Sequence, residues 1–179
     1  MAQVFSDFDF GDFWNKSSDK GLKFKSNKKL SNAKIAEIES HFNCKLPRLY
    51  IDLMKIQDGG TPFADFCRPK EKSLWFPEDF WLQAFVALGE CCYYSSLIDF
   101  NNFVVQEWSY PSKYVYFVNM DNYGNALLAF DYKGDKSRAN PRIVHIFGEN
   151  YNQETLVADN FKDFIARLQK PDEDGLYSL

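Results

Sequence analysis

Three apolar runs between residues 114 and 148, YVYFVNM, ALLAFDY and RIVHIFG, restrict the folds open to this chain more than any other feature. They are rich in β-branched and aromatic side chains, and DNYGN between the first two supplies the Asn, Asp and Gly chemistry of a hairpin turn. The third run follows the polar loop KGDKSRANP and is apolar almost without interruption, which predicts a strand buried on both faces. A meandering antiparallel sheet is the expectation. Nothing repeats as a βα unit, so a doubly wound fold is not indicated.

Helices flank this sheet in the sequence. Ser31 or Asn32 is placed to cap a helix whose apolar positions Ile35, Ile38 and Phe42 share one face and which ends near Asn43. The next stretch, KLPRLYIDLMKIQDGG, opens on Pro47, carries Leu46, Leu49, Tyr50, Leu53 and Met54 at helical spacing, and closes on two glycines, with Gly59 expected as the left-handed cap. LQAFVALG reads as a further strand, and the Tyr-rich stretch after it has no clear period. Asp159 or Asn160 is placed to start a last helix with Phe161, Phe164, Ile165 and Leu168 on one face and Pro171 as its stop. The tail PDEDGLYSL is expected to be loose. The sum is an α+β class with a mostly antiparallel sheet, an N-terminal helix pair and a C-terminal helix packed on it: a single domain over 1–179 with its core at about 12–169.

At 179 residues with 45% apolar content, one domain with a substantial core is affordable and a second is not. Aromatic residues make up 18% of the chain, so aromatic packing should dominate that core. No apolar run reaches the ~20 residues of a membrane span, and MAQVFSDFDFGDFW has acids where an export signal needs basic and then apolar residues. Cys44, Cys67, Cys91 and Cys92 lack CxxC spacing, which points to reduced thiols and a cytoplasmic location. A net charge of −4 argues against nucleic acid as partner. The charge is also unevenly placed. Residues 16–34 hold seven lysines against Asp19, whereas 73–132 holds Glu78, Asp79, Glu90, Asp99, Glu107, Asp121 and Asp131 against Lys113.

Catalytic chemistry is thin. His145 lies mid-strand on the face of Ile143 and Phe147, the position of a core histidine more than of a base, and His41 has only Cys44 nearby in sequence. The Cys, His and acid spacings match no zinc pattern, DNYGN lacks the further acids of a calcium loop, and neither a phosphate-binding glycine loop nor a GxSxG elbow is present. No metal and no cofactor are expected.

The order of the pieces carries more than any one of them. AEIESHFNCKLPRLYIDLMKIQDGG, QEWSYP, VYFVNMDNYGNALLAFDY, PRIVHIF and LVADNFKDFIARL together resemble the SUKH superfamily, typified by the fungal Smi/Knr cell-wall regulator domain and by bacterial immunity proteins. The resemblance rests on Leu46, Pro47, Tyr50, Leu53, Gly59, Gly60, Gly124, Asn125, Asp131, Tyr132, Ala158, Asp159, Phe161 and Phe164, with Asp58 where an Asn is usual. It implies an α+β fold without catalytic residues and, in bacteria, a cytoplasmic protein that binds and neutralises a toxin, often a nuclease. Other members are regulatory interaction domains. The sequence then suggests a partner-binding face from the acidic, aromatic 73–132 region: Glu78, Asp79, Asp99, Glu107 and Asp121 as acids, Trp81 and Tyr93 as anchors. The competing readings are that these acids form a solvated face and these aromatics belong to the core, and that His145 serves an unrecognised hydrolase.

Overall fold

The computed structural model describes residues 10–72, 80–120, 126–135, 137, 139–148 and 153–169. A five-stranded antiparallel sheet forms its centre, in the order β3-β4-β5-β6-β7. The three apolar runs supply its middle, β4 (Val115–Asn119), β5 (Ala126–Asp131) and β6 (Arg142–Phe147), and β5 is buried at every position. The edges are β3 (Ala84–Phe85) and β7 (Glu154–Ala158). Three short strands, β1 (Phe66–Cys67), β2 (Phe80–Trp81) and β8 (Leu168–Gln169), make a second sheet in the order β2-β1-β8. The turn DNYGN lies outside the described residues, but the antiparallel register Val118↔Leu128 and Asn119↔Leu127 is that of a hairpin.

Helix α2 (Asn32–Phe42) begins where the Ser31 hydroxyl accepts the Lys34 N–H, and it ends at left-handed Asn43, φ 50°. Helix α3 (Arg48–Ile56) opens on Pro47 and buries Leu49, Tyr50, Leu53 and Met54. Between the two helices, Glu39 accepts the Leu46 N–H at 3.0 Å, which satisfies one orphan donor of the linker. The short α1 (Asp19–Phe24) precedes them, and α4 (Leu97–Gln106) occupies the Tyr-rich region whose period was not readable. Helix α5 (Phe161–Ala166) closes the core: the Asn160 side chain caps it by accepting the Asp163 N–H, while the Asp163 carboxylate reaches back one residue further to accept the Asp159 N–H.

Phenylalanines join helices to sheet. Tyr50 of α3 meets Phe117, Phe130 and Phe161 at 5.2–5.6 Å with edge-on geometry, and Phe117 stacks on Phe130 at 4.1 Å and 8°. Phe85 and Phe164 extend the cluster towards Trp14. Each such ring contributes roughly 1.5–3 kcal/mol by burial and about 1 kcal/mol more for each well-oriented ring pair.

Several expectations are corrected by these coordinates. LQAFVALG pairs as a strand only at Ala84–Phe85: Gln83 and Val86 still donate to β4, but farther out Leu82 and Ala87 donate to the Asp65 and Phe24 carbonyls instead. Leu168 belongs to β8 and not to the last helix, which stops at Ala166. Gly59 does not cap α3: the cap residue is Gln57, in extended conformation. The two glycines, at φ 86° and 119°, instead bring the chain against the sheet edge. A Cβ on Gly59 would stand 2.3 Å from the Phe24 carbonyl oxygen, and Gly60 exchanges both backbone hydrogen bonds with Phe85 at 2.9–3.0 Å. Only glycine fits a left-handed residue under so close a backbone approach.

Candidate interaction surface

Before any surface is considered, the groups that could do chemistry need placing. His145 is 2% exposed, lies flat on Phe80 at 5.8 Å and has its pKa lowered to about 4 by burial, so it is neutral near pH 7. Cys44 and Cys67 are buried, Cys91 is partly exposed and Cys92 exposed, and His41 is exposed with its ring edge on Phe42. Among the described residues no three His, Cys, Asp or Glu side chains come together as a metal site, and no helix is long and apolar enough to cross a membrane. Among the described residues Asp58 is the one deeply buried carboxylate with a markedly raised pKa, about 6, because desolvation outweighs the N–H groups of Leu88 and Gly89 that it accepts at 2.7 and 2.9 Å. Its backbone carbonyl also accepts the Ser26 N–H. All three bonds pin the 24–28 segment, the end of α3 and the 87–89 segment to one another. Asp58 is therefore a clasp.

The sequence-predicted surface residues are distributed unevenly. Glu78, Asp79 and Asp121 lie outside the described residues. Tyr93 is 52% exposed, its ring edge resting on Phe24 at 5.4 Å with the Lys23 ammonium 5.7 Å above it. Tyr94 next to it packs on Phe100 of α4, and Asp99 lies in the first turn of that helix. Glu107 is exposed at the far end of α4, about 12 Å along the axis. Trp81 stands on β2 of the small sheet, 38% exposed, with its ring against its cross-strand partner Phe66. Asp99 and Glu107 thus belong to α4, Tyr93 to the segment that precedes it, and Trp81 to the small sheet.

The uneven charge of the sequence is partly folded back on itself. Lys28 pairs with Glu90 at 2.5 Å, and Lys23 sits over Tyr93, so the lysine-rich segment lines the acidic one. Exposed Leu22 and Tyr93 flank this meeting place. Sequence reasoning did not single out Leu22, which alternates with lysines in KGLKFK. It also missed the network in which Arg142 binds Asp131 at 2.6 Å and also Glu154, which in turn accepts the Tyr114 hydroxyl. The charges of that network are spaced along separate strands and show no pattern in one dimension.

A family model described as SMI1 / KNR4 family (SUKH-1) matches residues 29–167. The chain belongs to that family. No curated protein matched it. The matched span begins after α1 and takes in the five-stranded sheet, β1, β2 and helices α2 to α5, while β8 lies just beyond it. Its motif residues, where described, do structural work. Leu46 and Tyr50 fill the core, and the Tyr132 hydroxyl donates to the Lys45 carbonyl at 2.8 Å to tie β5 to the α2–α3 linker. Gly59 and Gly60 seat the chain on β3, and Phe161 and Phe164 close the aromatic cluster.

Proposed function

We propose that this SUKH-1 protein is a non-catalytic protein-binding domain, an immunity protein that neutralises a cognate toxin in the cytoplasm by covering its working face. The observation that carries this reading is family membership combined with the placement of the motif residues, which are spent on a rigid framework and on no reacting group. The proposed contact surface centres on Tyr93 and Asp99, extends to Glu107, and includes Trp81, Glu78, Asp79 and Asp121. Acidic side chains there would steer a basic partner and fix its orientation, while an exposed aromatic gives the desolvated anchor that dominates binding energy.

The test is binding of the protein encoded by the adjacent gene. Tyr93→Ala should weaken that complex about tenfold or more, and Asp99→Lys should reduce both the affinity and its dependence on salt. If both variants bind as tightly as the parent at every salt concentration, this face is not the interface. A second reading, a regulatory domain that binds an endogenous protein, is favoured by the fungal branch of the family and needs the same surface. A gene neighbourhood without any toxin would favour it.

A further inference from the structure

We propose that Cys92 is a site of reversible modification by an anionic low-molecular-weight disulfide of the glutathione class. Cys91 and Cys92 line a cleft of about 370 Å³ whose other residues include Lys25, Lys28 and Glu90. Cys92 is exposed and Cys91 partly so, whereas Cys44 and Cys67 are buried and out of reach. Lys28 and Glu90 neutralise each other at 2.5 Å, leaving Lys25 in excess within the cleft and Lys23 beside it over Tyr93. A tripeptide with two carboxylates matches this lining in charge and size. The lysine-bearing residues up to Lys28 precede the span matched by the family model, so this half of the cleft is an addition to the SUKH-1 framework.

In the exchange, the Cys92 thiolate attacks one sulfur of the disulfide and that S–S bond breaks. The second half leaves as a thiolate and takes the proton that Cys92 gave up. One disulfide is consumed and one formed. Adjacent thiols ordinarily resolve such adducts, but neighbouring Cα atoms are only about 3.8 Å apart, below the roughly 4.4 Å that an unstrained disulfide needs. Cys91 therefore leaves the adduct in place, and removal depends on an external thiol. The adduct would add negative charge and bulk beside Tyr93.

The experiment follows adduct formation by intact mass on the folded full chain, with oxidised glutathione (anionic) and cystamine (cationic) as probes. One adduct per chain, mapped to Cys92, reversed by dithiothreitol and lost in Cys92→Ser, is expected, and Cys91→Ser should leave its yield unchanged. In a Lys25→Gln/Lys28→Gln variant the lining charge changes from net positive to net negative, so the rate with glutathione relative to cystamine should fall about threefold to tenfold at low salt and much less at 1 M salt. An adduct on Cys91, conversion to a Cys91–Cys92 disulfide, or a rate ratio unmoved by the lysine substitutions would overturn the proposal. Circular dichroism of each variant establishes that it is folded.

Discussion

Asn101 makes the sharpest test of how this sheet is finished. It is 3% exposed in an otherwise apolar stripe of α4. Its amide nitrogen donates to the carbonyls of Leu97 and Tyr116, both at 2.9 Å, and its oxygen accepts the Tyr116 N–H at 2.8 Å. The side chain thus stands in for a neighbouring strand on β4 beyond the point where β3 ends. Asn101→Leu keeps the number of side-chain heavy atoms and removes all three bonds. The Tyr116 N–H and C=O are then left facing hydrocarbon, at roughly 1–3 kcal/mol each, against a gain of about 1–2 kcal/mol from burying the new side chain. A net loss of about 2–4 kcal/mol is expected. With a urea slope of about 2 kcal/mol per molar, the unfolding midpoint should drop by 1–2 M, roughly, with the slope unchanged. Asn102→Leu, one residue on and exposed, is the control and should move stability by less than about 0.5 kcal/mol. Native-state hydrogen exchange supplies the local readout, since the Tyr116 amide should lose protection in the Leu variant beyond the global change. Equal midpoints for the two variants, or an unaltered Tyr116 amide, would refute the reasoning.

Further measurements bear on other parts of the framework. Gly59→Ala combines a left-handed φ with a Cβ 2.3 Å from a backbone oxygen, so a loss above about 3 kcal/mol is expected in thermal unfolding, and a loss under about 1 kcal/mol would show that the segment moves freely. Tyr50→Phe deletes a fully buried hydroxyl that has no hydrogen-bond partner and should be neutral or stabilising by about 1–2 kcal/mol; clear destabilisation would reveal a polar role for that group. Asp58, with its folded pKa raised from 3.8 to about 6, favours the folded state when protonated, so its contribution is full below about pH 4 and roughly 3 kcal/mol of it is lost as pH rises to about 6. His145 acts in the opposite sense: its folded pKa is lowered from 6.5 to about 4, so stability falls as pH drops through that window. Urea midpoints between pH 4 and 7 should accordingly rise more steeply with pH in Asp58→Asn than in the parent, and parallel profiles would show that Asp58 is ionised throughout.

How much of this was readable in the chain depends on the range of the interactions involved. Caps and periods are local, so Ser31, Asn43, Pro47 and Asn160 announced their helix ends within one residue, and the three central strands were plain from composition alone. The edge strands were not. β7 has mixed burial and reads as ETLVA without alternation, and β1, β2 and β8 are two residues long, defined by partners up to a hundred residues away. Helix α4 escaped because its buried face includes Asn101, which breaks the apolar stripe, although a polar residue four positions after Leu97 was itself a sign of a buried partner. The glycine pair was recognised as structural, but its task depends on Phe24, Phe85 and Ala87, which no local rule could connect to it. On the surface, Tyr93 was named for its chemistry, whereas its contact with Lys23 arises only when α1 folds against β3.

Sealed edges limit how this domain can bind. An exposed sheet edge invites a partner strand, since its free N–H and C=O groups are a template. Here the outer side of β3 is taken by Gly60 on Phe85 and by the Thr61 hydroxyl on the Gln83 carbonyl, and β4 beyond it is taken by Asn101. At the opposite edge the Lys70 and Glu71 N–H groups bond the carbonyls of Val157 and Leu156 on β7. Each edge of the five-stranded sheet therefore carries a partner from its own chain. Addition of a foreign strand would first have to displace one of these, breaking buried bonds whose loss costs about 1–3 kcal/mol per group. Recognition by side chains on preformed helices and loops requires no such displacement. The energetic balance thus favours a partner that docks on exposed side chains, as Tyr93 and Asp99 allow, over one that extends the sheet.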